Sequence, residues 1–175
     1  CRQLLYSCYQ HKGPTAVRYP RGTGPGAEIV SNMQALPLGK AVEKRRGERV
    51  AILSFGVLLP AAMAAAEALN ATVIDMRWVK PLDEDCLRAL AQSHDLLVTL
   101  EDHQLMTGAG SAVNEFVHAN DLRVNLLNLG LPDHFVHHGK REALLAQLGL
   151  DAAGVENAIR ARLEKLAVSA RQIAP

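Results

Sequence analysis

The sequence predicts an α/β fold, a three-layer αβα sandwich around a mostly parallel sheet. Four short runs are apolar almost throughout: "RVAILSF" (49–55), "TVIDMRWV" (72–79), "LLVTLED" (96–102) and "RVNLLNLGL" (123–131). That is the pattern of strands buried on both faces. Longer stretches with helical spacing separate them, and strands alternating with helices build parallel sheets. The chain has 175 residues. A domain of about 150 residues buries roughly 70% of the surface its unfolded chain exposes, so one full core plus a short extra piece fits this length.

The elements follow in order. "CRQLLYSCYQ" starts without Met and sets Leu4, Leu5, Cys8 and Tyr9 at helical spacing, so the chain is expected to be an excised piece entered in mid-helix. "AVRYP" reads as a short strand stopped by Pro20, and 23–38, with Gly24, Pro25, Gly26 and Pro37, has the composition of a linker. A domain boundary is expected near residue 40. Pro60 opens a helix over 60–69, at a position where its missing N–H does no harm. Asp83 stands as N-cap ahead of Leu87, Leu90 and Ala91 on one helical face. A helix over 111–119 has Ser111 as a possible cap. After the loop "PDHFVHHG" come helices over 140–148, stopped by Gly149, and 151–168, capped by Asp151 with Val155, Ile159, Leu163 and Leu166 on its apolar face. There is no internal repeat and no low-complexity segment.

Lys and Arg number 19 against 18 Asp and Glu, a net charge of +1, which argues against nucleic acid or an anionic membrane as partner. Cys1, Cys8 and Cys86 form no C-x-x-C pair, and an odd count fits a reduced, cytoplasmic setting better than a disulfide framework. The most apolar stretch is broken by Gly56 and Pro60 and has no cleavage signature, so neither a signal peptide nor a membrane span is expected.

Two stretches could hold an anion. In "GPTAVRYPRGTGPG" (13–26), Arg21 follows a proline and precedes three glycines, so its planar guanidinium could grip a phosphate beside unshielded backbone N–H groups. Equally, Arg21 could pair with a local carboxylate at a turn. Arg18 points to a different side in a regular strand. In "EDHQLMTGAGSAVNEF" (101–116), Glu101, Asp102 and His103 precede Gly108, Gly110 and a helix, a place where an anion can sit. The third glycine of a dinucleotide fingerprint is missing, however, and a turn capped by Ser111 explains the pattern as well. His134, His137 and His138 match no zinc spacing and read as exposed loop histidines. "KPLDED" (80–85) reads as a helix start, and Cys86 as a small core residue. No metal ligand and no catalytic residue is read from these patterns.

Six blocks, "GPTAVRYPRG", "LPLGKAVEKRRGERVAILSFG", "NATVIDMRWVKPLDED", "MTGAGSAVNEF", "LNLGLPDHFVHHG" and "LGLDAAGV", together resemble the C-terminal part of the 1-deoxy-D-xylulose-5-phosphate synthase family. These are thiamine-diphosphate enzymes of the transketolase superfamily. The resemblance implies a transferase that condenses pyruvate with D-glyceraldehyde 3-phosphate, releasing CO₂, for isoprenoid, thiamine and pyridoxal synthesis. It implies thiamine diphosphate, Mg²⁺ and a homodimer in the full-length enzyme.

By the same resemblance, residues 1–40 are the end of a pyrimidine-binding domain, 41–168 a transketolase C-terminal domain with a mixed sheet, and 169–175 a tail. Arg21, the arginine of the YPRG motif, is the substrate-binding residue carried over, on the phosphate of the aldehyde. The motifs that hold the diphosphate and Mg²⁺ have no counterpart here, so no cofactor is expected on this piece and no activity from it alone. Two alternatives remain: a packing and dimerisation module, and the β subunit of a 2-oxoacid dehydrogenase, whose lipoyl substrate offers Arg21 no phosphate.

Overall fold

A computed structural model describes residues 1–20, 24, 26, 28, 29 and 31–173, the side chains being described up to residue 169. Helix α1 (Arg2–Gln10) comes first and the strand β1 (Val42–Arg45) is the next element among the described residues. Then follow β2 (Val50–Phe55), α2 (Leu59–Leu69), β3 (Thr72–Asp75), α3 (Glu84–Ser93), β4 (Leu96–Gln104), α4 (Ala109–Ala119), β5 (Asn125–Leu131), α5 (Arg141–Gln147) and α6 (Ala152–Ile173). The strands form one sheet in the order β1-β3-β2-β4-β5. β1 runs antiparallel to β3 while the other pairs are parallel, so the sheet is mostly parallel and mixed.

The two-residue strand period sorts the core into two halves. Val50, Ile52, Val73, Leu96, Val98 and Leu100 face α2 and α6. Ala51, Leu53, Ile74 and Leu97 face α3 and α4. This gives the three layers that the apolar runs predict. Alanines at 62, 65 and 66 let α2 lie close to the sheet, and they are at most 1% exposed.

Several elements depart from expectation. Residues 14–20 form no strand: among the described residues no neighbouring strand pairs with them, and a lone extended segment has no ladder to satisfy its backbone. β1, "VEKR", was hidden from the sequence reading by its charges, which suit an exposed edge. β3 stops four residues short of the expected strand because Arg77 adopts φ +58°. α6 runs on to Ile173, beyond the expected 168.

Asp83 does cap α3, accepting from the Cys86 N–H at 3.3 Å. It also accepts from the Ala41 N–H at 2.8 Å and from Lys40 Nζ at 3.2 Å, so it fastens the entry to β1 onto the start of α3. Burial opposes its ionisation, but the Ala41 and Cys86 N–H groups and Lys40 outweigh that and hold its carboxyl below the ordinary value. A carboxyl depressed on folding stabilises fully above its unfolded pKa, and that stability is lost as the pH falls through the folded value. Asp83→Ala is therefore expected to cost about 1–2 kcal/mol at pH 7. The gap from wild type in urea titrations should shrink below pH 3.8, the unperturbed value. A gap independent of pH would assign the effect to packing alone.

Candidate functional site at the carboxyl edge of the sheet

Because β2, β3, β4 and β5 run parallel, their carboxyl ends share one edge, the place where doubly wound folds hold ligands. The end of β4 carries Glu101 and Asp102, and the strand alternation sends them to opposite faces. Glu101 turns under α4, where it is only 3% exposed. It accepts from the Ala109 N–H and the Gly110 N–H, both at 2.7 Å. The first N–H groups of a helix lack partners within it and carry positive partial charge. In this fold the protein's own carboxylate occupies the seat that the glycine turn offers an anion.

The glycines serve that arrangement. A Cβ at Gly108 would lie 2.5 Å from a Glu101 carboxylate oxygen and from the Gln104 carbonyl. At Gly110 it would lie 2.6 Å from Thr99 Oγ1 and 2.8 Å from Asn128 Nδ2. Asn128 in turn donates to Thr99 at 2.7 Å and accepts from Asn114 at 2.9 Å, which extends the polar contact between α4 and the sheet. Ser111 is not the cap: the helix begins two residues earlier, after Gly108, and the Ser111 hydroxyl donates to the Leu105 carbonyl.

Asp102 faces the other way. One terminal nitrogen of Arg18 donates to its backbone carbonyl at 2.8 Å and approaches carboxylate Oδ1 at 3.4 Å. Arg141, the first residue of α5, reaches Oδ2 at 3.4 Å. Asp102 thus stands between two guanidinium groups, one from the irregular segment 14–20 and one from the domain itself. His103 contacts the Gln104 carbonyl through Nδ1 at 3.1 Å, and the Gln104 amide donates to Asp133. His134, His137 and His138 lie on the exposed loop. Among the described residues there is no group of three or more His, Cys, Asp or Glu side chains that could hold a metal ion. Burial, followed by the charges of Asp83 and Glu43, pushes the Cys86 thiol up to about 11, which makes it a poor nucleophile.

Arg21, the substrate ligand expected from the resemblance, lies outside the described residues. Arg18, set apart from Arg21 in the sequence reading, is the arginine of that stretch seen to reach the carboxyl edge. Arg77 stands at the same edge at the end of β3, 21% exposed in its side chain, with Nε 3.8 Å from Asp75. Its φ of +58° is a conformation that few residues other than glycine adopt. No local sequence signal marks it. Among the described residues no helix is long and apolar enough to cross a membrane.

Residues 39–155 match the family described as "Transketolase, C-terminal domain". A 1-deoxy-D-xylulose-5-phosphate synthase of Alcanivorax borkumensis is 65% identical over 165 residues, covering 94% of this chain and 26% of that protein. The synthase of Chromobacterium violaceum is 60% identical over 163 residues, 93% of this chain and 26% of its own. The chain therefore spans about a quarter of the length of these relatives. Among solved structures, one described as "Split gene transketolase, inactive beta4 tetramer" superposes with a TM-score of 0.68 at 29% identity, covering 77% of this chain and 45% of that one. The resemblance read from the six sequence blocks is borne out, and the chain belongs to the transketolase C-terminal domain family.

Proposed function

We propose that this chain is the C-terminal portion of a 1-deoxy-D-xylulose-5-phosphate synthase, the cytoplasmic transferase that condenses pyruvate with D-glyceraldehyde 3-phosphate. The observation that carries this reading is the 65% identity, across 94% of the chain, to a relative of that name. In the full-length enzyme thiamine diphosphate, held with Mg²⁺, supplies the electron sink for the decarboxylation. The motifs that hold the diphosphate and Mg²⁺ in this reading are not among the blocks that the chain shares with the family, so the 175-residue piece is read as inactive on its own, its share of the work being substrate positioning and packing. Residues 1–40 close the pyrimidine-binding domain and 41–168 form the C-terminal domain.

Arg21 is the substrate-binding residue of this reading, a fork of donors for the aldehyde's phosphate. In the full-length enzyme Arg21→Ala is expected to raise KM for D-glyceraldehyde 3-phosphate about tenfold or more. That corresponds to losing charge-assisted hydrogen bonds of about 1.5–3 kcal/mol each. KM for pyruvate should change little, and steady-state kinetics with each substrate varied in turn would decide. Equal effects on both substrates would remove Arg21 from the phosphate.

A second role, assembly, has its own support. α1 leaves Tyr9 85% exposed, and with Leu5, Tyr6 and Met33 it lines an open apolar hollow of about 600 Å³. The solved relative is described as an inactive tetramer. In the full-length protein this surface is covered, and the enzyme is a homodimer.

A further inference from the structure

We infer that the loops at the carboxyl edge of the sheet form the seat on which the body of the pyrimidine-binding domain docks in the full-length enzyme, with Phe135 as its apolar anchor. The inference rests on the synthase reading given above, in which residues 1–40 are the end of that domain. Each of the loops after β3, β4 and β5 raises apolar side chains. Val79 and Met106 are more than half exposed, Val136 is partly exposed, and Phe135 is fully exposed. In the strand order β3-β2-β4-β5 these loops span three strand spacings, about 14 Å along one edge. Single exposed apolar residues need no explanation, but a row of them along one edge marks a surface that another body covers.

The contacts of the chain ahead of β1 identify the cover. β1 runs antiparallel to β3, so it begins at this edge, where Val42 pairs with Asp75 at the end of β3. Just before it, the Ala41 N–H and Lys40 Nζ donate to Asp83. Gly39 lies so close to Pro81 that a Cβ there would fall 2.8 Å from its Cγ. Pro81 and Asp83 belong to the loop that carries Val79. Further back, Arg18 donates to the Asp102 carbonyl at 2.8 Å, near the end of β4 and the loop of Met106. Residues ahead of β1 therefore meet this edge at the ends of two strands, and the domain they belong to is carried over it. The ion pairs of Lys40 with Asp83 and Asp85, and of Arg18 with Asp102, lie on the same edge as the apolar row. Apolar contacts bordered by charged ones are what docked surfaces combine. All these contacts are made within one chain, which favours its own preceding domain over a second copy.

The test is hydroxyl-radical footprinting of the full-length enzyme, read by mass spectrometry at Met106 and Phe135. In the native protein both are expected to be oxidised about tenfold more slowly than in the same protein unfolded in urea at matched radical dose, since a docked anchor excludes water. Rates within about twofold of the unfolded ones would mean that the edge stands open to solvent, and would overturn the proposal. Phe135→Ser is expected to raise the oxidation of Met106 about fivefold by loosening the seat, with the oligomeric state in sedimentation unchanged. No change at Met106 would remove Phe135 as the anchor. If the variant instead falls apart into smaller assemblies as Met106 opens, the row is a contact between copies and the proposal falls. Should Phe135→Ser fail to fold, the wild-type footprint still decides. Turnover of pyruvate with D-glyceraldehyde 3-phosphate is measured on the same preparation. Turnover with an open edge sinks the docking alone. A full-length protein without that turnover removes the synthase reading, and the proposal falls with it.

Discussion

Glu101→Ala is expected to lower the unfolding free energy by about 3–5 kcal/mol. The side chain is buried, and both of its oxygens accept from backbone N–H groups at the start of α4. A hydrogen bond to a charged group contributes about 1.5–3 kcal/mol, and here two are lost together. The Ala109 and Gly110 donors are then left in a site too closed for water to reach freely. For a chain of this size the loss corresponds to a fall in Tm of about 10 °C. Glu101→Gln keeps one acceptor but turns an amide donor toward the other N–H, so it recovers at most part of the difference. Urea titration of the three proteins would order them wild type, Gln, Ala. A loss under about 1 kcal/mol in the alanine variant would mean that α4 finds another cap.

The second large effect is expected at Gly154. α5 ends in a capping arrangement in which Gly149 takes φ +69°, its N–H donates to the Ala146 carbonyl, and the Leu150 N–H reaches the Leu145 carbonyl. Buried Leu150 follows, and Asp151 caps α6 by accepting from the Gly154 N–H at 2.8 Å. The first turn of α6 therefore folds back over the end of α5. A Cβ on Gly154 would lie 2.4–2.5 Å from Gly149 backbone atoms, which cannot rotate away as a side-chain tip could. Gly154→Ala should cost about 2–4 kcal/mol through this overlap, at or just above the usual range for overpacking. Because what a Cβ at Gly154 would meet is the backbone of Gly149, not a residue at the carboxyl edge of the sheet, the loss should show in Tm while KM for either substrate is unchanged in the surviving folded enzyme. A Tm within about 1 °C of wild type would mean that the turn opens without strain.

The parallel strands and their covering helices were legible in the sequence because each is written locally, as an apolar run or a helical stripe. The Asp83 cap was legible for the same reason: donor and acceptor lie three residues apart. What escaped depends on residues distant in the chain. The N-terminus of α4 was placed two residues late because its cap is Glu101, which comes from the preceding strand, whereas Ser111 is the nearby residue of capping type. β1 is polar and short, and only its pairing with β3 makes it a strand. Arg18 and Asp102 meet across 84 positions, and no spacing rule relates them. The YPRG arginine became a candidate through the family resemblance, since a single arginine at a turn has too many ordinary partners to be singled out by its chemistry.

Glu101 and Asp102 are adjacent on β4, yet one carboxylate serves the interior and the other the rim. This neighbourhood bears on folding fidelity. If β4 paired with its neighbours one residue out of step, every side chain would change faces. Asp102, one methylene shorter, would be turned toward the α4 donors, and Glu101 would be carried out toward Arg18 and Arg141. Both carboxylates would then meet partners at the wrong reach in the same mispaired state. Two adjacent acids of unequal length thus act as a check on strand register, in addition to the apolar residues that precede them.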